Sequence, residues 1–425
     1  MNKQGQKTGD ERGDPDGTEA IAAAGRARCR AKIPATLTAV PLAAAFIALG
    51  ALTLRAPVLA DEPDSTPQVL LGEKIFGDPN LSASGKMSCA SCHDPARAHA
   101  QSNDLPVQFG GANIDVPGFR AVPSLQYVSL IPSFSQGDDG PVGGFDRDGR
   151  ADNLMLQAMR PLLGANEMAN ASVEELTIRL SQAPYADEFR RVYGTDIFSD
   201  PQAAFQALLF SLAQYQRFDP DFRPFDSKYD LFLRGQVRLD PAELRGLALF
   251  NRTDKGNCTA CHPSHRGPNG EPPMFTDFTY DNLGVPRNGA IPANADPAYY
   301  DLGVCGPFRA DLADQLDLCG AFKVPTLRNV ATRTVFFHNG RFKTLRDALR
   351  FYVQRDTDPE LFYPVAADGT VLKFDDLPPA LAGNVNTQEV PYDRLRGEAP
   401  RLSEAELDDL EAFLNTLSDG LTRSR

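Results

Sequence analysis

Tryptophan is absent from the 425-residue sequence, and histidine occurs only five times, at His93, His99, His262, His265 and His338. No indole can therefore relay charge or stack on a ligand, and any chemistry that needs imidazole draws on a short supply. No Gly-Lys-Ser or Gly-Lys-Thr occurs, which removes a Walker-type phosphate loop. Positive charge is scarce as well: 43 Lys+Arg face 56 Asp+Glu, a net charge of −13. An acidic chain with no basic cluster outside its first 60 residues is not built for nucleic acid.

One long uncharged run is present, "IPATLTAVPLAAAFIALGALTL" at 33–54, led by Arg26, Arg28, Arg30 and Lys32. "VLA" before "DEP" offers small residues for cleavage after Ala60, so 1–60 reads as a secretory signal and the mature chain as periplasmic. The run is also long enough to span a bilayer, so an uncleaved anchor is the rival reading and the one expected membrane contact. Residues 1–60 carry eight Lys+Arg and five Asp+Glu, which leaves the remainder at −16. A positively charged small redox protein would be a natural electrostatic partner.

Of seven cysteines, Cys29 falls within the signal. Cys305 and Cys319 lie fourteen apart in "GVCGPFRADLADQLDLCGAF"; in an oxidising compartment they read as a disulfide, and two free buried thiols are the alternative. Closing such a loop stabilises by about 3 kcal/mol in the chain-entropy model. The other four sit in "MSCASCHDP" (87–95) and "NCTACHP" (257–263). Two thiols at i and i+3 reach the two vinyl groups of a haem, and the adjacent imidazole drops onto its iron. Zinc and disulfide exchange compete for any CxxC. Here the pairs lie 169 residues apart, and each is followed at once by histidine in an exported chain. The expectation is two covalent c-type haems, on Cys89, Cys92 and His93 and on Cys258, Cys261 and His262.

"GEKIFGDPNLSASGKMSCASCH" (72–93) and "GLALFNRTDKGNCTACH" (246–262) share one layout: glycine, an apolar pair, a polar loop and the motif. They read as a duplication of a helical haem unit, with Gly72 and Gly246 letting another helix approach closely. Asp240, Pro241 and Glu243 start one helix with a capping box, as do Ser403 and Glu406 for 403–417. Further helices are expected over 173–183, 200–217 and 343–353. Strand signals are sparse. The fold class is mostly α: two cytochrome c-like haem domains with long loops at 104–150 and 263–325. Proposed boundaries are 61–235 for a first, peroxidatic unit and 236–425 for a second, electron-transfer unit, with the final helix free to pack back on the first.

The ordered segments "LGEKIF", "DGRADNLMLQAMRPLLGANEM", "FKVPTLRNVA", "FFHNG" and "TLRDALRFY", with both haem motifs, resemble the bacterial dihaem cytochrome c peroxidase and MauG family over nearly all of the mature chain. The resemblance implies that hydrogen peroxide reacts at the first haem. Gln157 and Glu167 match its distal glutamine and glutamate, where a carboxyl can move a proton between peroxide oxygens. Read without the family, both residues are equally consistent with a polar helix and turn at the surface. The second haem's other ligand comes from the helix after "FFHNG": methionine in electron-fed peroxidases, tyrosine in MauG. Here it falls on Tyr352, with Tyr280 and Met274 as rivals. His338 becomes a partner of the cofactor's propionates. The family's removable distal histidine falls near Asn113, so the first iron is expected to keep an open face.

The sequence departs from that pattern in two places. Arg147 stands where many relatives have the tryptophan that assists charge transfer between the haems, and is expected to lie beside the cofactors. The family's calcium uses an asparagine where Ala121 follows Arg120, so calcium stays open. The implied function is a MauG-like peroxidase that uses a high-valent dihaem state to oxidise a protein or redox-protein substrate. Its rivals are an ordinary peroxidase fed by cytochrome c or a cupredoxin, and a non-catalytic dihaem electron carrier.

Overall fold

Both haem motifs directly follow a helix whose glycine faces a second helix. In the computed structural model, which describes residues 66–421, α1 (Pro67–Gly77) is capped by Thr66 and has proline at its first position. It leads into the single turn α2 (Cys89–Cys92). The first half continues with α3 (Leu154–Leu163), α4 (Val173–Ser181), α5 (Ala186–Tyr193) and α6 (Pro201–Phe218). α7 (Lys228–Leu233) ends the proposed first unit, and the second holds α8 (Pro241–Asn251), α9 (Leu345–Gln354) and α10 (Glu404–Asn415). Strand among the described residues is limited to three short antiparallel pairs, one of them Phe109–Gly110 with Val116–Pro117. The fold is mostly helical. The proposed signal or anchor at 1–60 lies outside the described residues.

A Cβ added to Gly72 would stand 2.1 Å from the Ser211 carbonyl oxygen of α6, and one on Gly246 would stand 2.0 Å from that of Asp409 on α10. Both crossings therefore bring backbone against backbone, at equivalent places in the repeated segments. Around them lie separate cores. Ile75, Phe76, Leu208 and Leu212 belong to the first, and Leu249, Phe250, Leu410 and Phe413 to the second. The capping boxes at Asp240 and Ser403 form as the sequence indicates. The pattern reading passed over α3, α5 and α7, which are short or, in α3, interrupted by Pro161.

α10 lies chiefly on α8, where Gly246 admits it. It also meets the proposed first unit: Phe413 packs on Tyr229, Tyr229 N–H donates to Thr416 O at 3.0 Å, Gly420 N–H to Asp226 Oδ1 at 2.7 Å and the Tyr127 hydroxyl to Asp419 Oδ2 at 2.7 Å. Cys305 and Cys319 are disulfide-bonded, with Cα atoms 5.1 Å apart, and clip the long second-half loop.

Alanine at 246 gains about 1 kcal/mol of helix propensity over glycine. Over-packing typically costs about 1–3 kcal/mol and more where backbone blocks relaxation. Gly246→Ala is expected to be net destabilising and to lower the denaturant midpoint, as is Gly72→Ala against Ser211. An unchanged or raised midpoint would show that these crossings have slack.

Candidate active site and cofactor cradles

In each motif one turn of helix places the two thiols on one side, and the histidine amide closes it: His93 N–H donates to Cys89 O and His262 N–H to Cys258 O, both at 2.8 Å. The four cysteines are not disulfide-bonded. Burial pushes the thiols up, Cys89 and Cys258 to about 12. Among the described residues no group of three His, Cys, Asp or Glu side chains is arranged to hold a metal ion.

The ring orientation of each motif histidine is set by backbone. His93 Nδ1 lies 3.1 Å from Pro123 O and 3.2 Å from His99 O, and His262 Nδ1 lies 2.7 Å from Phe275 O. A carbonyl can only accept, so Nδ1 carries the proton and Nε2 keeps its lone pair for a metal. Burial lowers both pKa values, that of His93 to about 4, so both rings are neutral as ligation requires.

His99 and Phe275, two of the residues supplying these carbonyls, have φ of +51° and +52°. That region is uncommon for residues with a side chain and costs energy unless the surroundings impose it. Both rings are locked in aromatic clusters. His99 stacks on Phe222 at 4.0 Å, with neither ring nitrogen hydrogen-bonded, while Phe275 is fully buried against Phe250 and Tyr229. Sequence reasoning missed this use of His99, since nothing in a loop sequence indicates a left-handed φ at histidine.

A cavity of about 330 Å³ is lined by Cys258, Cys261, His262 and Tyr352 from the second half and by Arg147 and Gln157 from the first. Its remaining wall is largely aliphatic and aromatic, as a flat apolar cofactor needs. Tyr352 is half-buried on α9. Burial, followed by the nearby Cys258 and Cys261, pushes its phenol well above the ordinary range. Of its rivals, Met274 lines the same cavity. Tyr280 does not compete for it: its hydroxyl donates to Gly143 O at 2.6 Å. His338 lines the cavity too, its ring stacked on Phe322 at 3.8 Å and its Nε2 without a hydrogen bond. His265 is exposed.

Glu167 and Gln157 are brought together through Asp146. Gln157 Nε2 lies 3.5 Å from Asp146 Oδ1, and Arg150 Nε lies 3.1 Å from Asp146 Oδ2. Glu167 sits in the turn after α3, its Oε2 so near Gly164 that a Cβ there would stand 2.8 Å away. The 109–117 hairpin holds the turn from the other side, Gly111 N–H donating to Glu167 O at 2.8 Å. Water reaches the carboxyl, yet protein crowds it on most sides. That crowding, then the charge of Asp146, pushes it up to about 7 against Arg150 and Arg160. The Glu167 charge in turn raises the Cys92 thiol, so the carboxyl stands beside the first motif.

Residues 66–238 match the family described as di-haem cytochrome c peroxidase. The chain is 35% identical to the methylamine utilization protein MauG of Paracoccus denitrificans over 366 residues, 82% of this chain and 88% of that protein. It is 27% identical to the cytochrome c551 peroxidase of Nitrosomonas europaea over 327 residues, covering 74% and 82%. Among solved structures it is similar to the diheme peroxidase BthA of Burkholderia thailandensis, with 39% identity, a TM-score of 0.75 and 84% and 87% coverage. A variant of BthA with one tyrosine replaced by methionine matches it with the same score. The donor sets, neutral imidazoles and apolar cavity fit the haems that such relatives imply.

If each motif attaches one haem, replacing Cys89 and Cys92 together by alanine leaves one covalently bound haem per chain instead of two. The Cys258 and Cys261 pair is expected to behave alike. Pyridine haemochrome absorbance per protein reads the count, and two haems in either double variant would rule out attachment there.

Proposed function

Because the chain belongs to the di-haem cytochrome c peroxidase and MauG family, and is a dihaem oxidoreductase of the peroxidase kind, we propose that it is a periplasmic peroxidase of the MauG-like branch. Its two haem units, 61–235 and 236–425, each bind a c-type haem covalently. The single observation that carries the finer reading is Tyr352 on the wall of the cavity that holds His262.

Bound haem supplies the redox chemistry by which peroxide is reduced to water. The chain's own residues do the rest. Thioether links from Cys89, Cys92, Cys258 and Cys261 tether the cofactors, and His93 and His262 offer Nε2. Glu167, ionised, takes the proton from one peroxide oxygen and returns it to the other, which is general acid–base work. Gln157 orients the bound peroxide by hydrogen bonding, and Asp146 helps keep the Glu167 pKa near neutrality.

Left alone, the Tyr352 phenol holds its proton; with haem bound, it would be the residue to offer the second iron a phenolate oxygen. Phenolate is a hard anionic donor that favours the oxidised metal, whereas thioether favours the reduced one. Oxidised protein or redox-protein substrates, rather than steady electron feeding, follow from that preference. Where the family's calcium asparagine would stand, the Ala121 carbonyl accepts from Arg147 Nε at 3.0 Å. A second reading, an ordinary peroxidase fed by cytochrome c or a cupredoxin, rests on Met274 in the same cavity wall.

EPR of the resting ferric protein separates the two. One high-spin and one low-spin haem are expected, with only the low-spin signal altered in Tyr352→Phe; a signal altered by Met274→Leu instead selects the ordinary peroxidase. Two low-spin irons that do not react with peroxide would leave only an electron carrier. The rate of peroxide reaction should rise as pH passes up through about 7, where Glu167 loses its proton. Glu167→Gln should lack that limb and react roughly 10²–10⁴-fold more slowly; stopped-flow traces across pH 5–9 would show it.

A further inference from the structure

Three cations on the cavity wall, Arg147, Lys323 and Arg333, make no ion pair among the described residues. The buried guanidiniums of Arg309, Arg328 and Arg355, by contrast, each pair with a carboxylate. Arg147 Nε donates to Ala121 O at 3.0 Å, an Arg333 guanidinium nitrogen donates to Val122 O at 2.7 Å, and Lys323 Nζ donates to Gly144 O. A carbonyl dipole does not neutralise a full charge, and all three half-buried side chains face a largely apolar cavity without a carboxylate partner.

The nearby acids are already committed. Asp146 pairs with Arg150 at 3.1 Å, Asp148 with Arg120 and Arg150, and Asp301 with Arg120 at 2.6 Å. The three cations also form one cluster. Lys323 N–H donates to Arg147 O at 2.8 Å, and the charge of Arg333 is felt by both Arg147 and His93. So the cluster reaches from beside the first motif to the cavity that holds the second. His338, whose Nε2 makes no hydrogen bond and lies 3.8 Å from Asp376 Oδ2, lines that cavity as well.

We propose that Arg147, Lys323 and Arg333 form an anion-binding bridge for the ionised carboxylates of the haems, at the junction between the two cradles. The proposal rests on the dihaem reading. It accounts for cations that are otherwise poorly placed: without an anion, burial pushes Lys323 down to about 8, Arg147 to about 9 and Arg333 to about 10. It also assigns them a consequence. Positive charge held beside the cofactors opposes ferric iron, so the bridge raises their midpoint potentials.

The test is spectropotentiometric titration of the full dihaem protein carrying Arg147→Gln, Lys323→Gln or Arg333→Gln, with the exposed Arg245→Gln as control. Each cluster variant is expected to keep two haems by pyridine haemochrome while at least one midpoint potential falls. The oxidised-to-reduced ratio at fixed potential should shift on the order of tenfold, the scale of one unit charge at an effective protein dielectric. Two haems with unmoved potentials in all three variants would overturn the bridge. Absence of covalent haem in the wild type would instead overturn the dihaem reading. Unmoved potentials with a wild-type stability that depends on added phosphate would assign the cluster to a free anion, against the proposal. Should Lys323→Gln accumulate no holoprotein, Lys323→Arg decides: haem content restored with the charge supports the bridge, and loss in both variants counts against it.

Discussion

The aim of two imidazoles by main-chain carbonyls is the constraint on which the site depends. A side-chain acceptor could swing away; a carbonyl in a packed turn cannot. Yet the carbonyls of His99 and Phe275 are aimed only because both residues take a left-handed φ, at +51° and +52°. Each conformation is disfavoured locally and must be imposed by tertiary packing. The aromatic clusters do this, Phe76 and Phe222 around His99, and Phe250, Tyr229 and Phe413 around Phe275. The cores thus serve the cofactor geometry as well as stability.

That device occurs twice, on a scaffold that is itself duplicated. A glycine crossing, a helix leading into CxxCH and a left-handed aromatic residue recur in each half. The spacing from motif histidine to carbonyl differs, six residues in one half and thirteen in the other. Helical parts of the repeat keep their register because backbone meets backbone at Gly72 and Gly246. Loop parts are constrained only where the carbonyl must arrive, so their length is free to vary. The halves differ in what they add: a carboxyl with a raised pKa at Glu167 in one, a phenol on the cavity wall at Tyr352 in the other.

The same division explains what the sequence made legible. Caps, apolar stripes and CxxCH are local patterns, and they located α1, α4, α6, α8, α9 and α10 and both motif histidines. The Tyr352 position, given by resemblance, falls on the wall of the cavity that His262 lines. Illegible were groups whose roles arise from loops meeting across the chain. Asp146 and Arg333 sit in loops and Lys323 ends a two-residue strand, and nothing local distinguishes Arg333 from a surface arginine. The use of His99 was illegible because the useful atom is its carbonyl oxygen, which no side-chain pattern reports. The main partner of the final helix was illegible because its apolar stripe does not say which segment holds the admitting glycine.

The missing tryptophan then gains a physical meaning. An indole at position 147 would offer polarisable, neutral bulk between the two cradles. Arg147 offers a fixed charge, held by the Ala121 carbonyl and next to Lys323 and Arg333. Charge and polarisability do different things to electron traffic: the first shifts the energies of both ends together, the second lowers the barrier between them. A junction built from guanidinium and ammonium therefore tunes how oxidising the pair of cofactors is. Polarisable matter is still present in the same cavity wall, where the Phe322 and His338 rings stack at 3.8 Å, but none of it is indole.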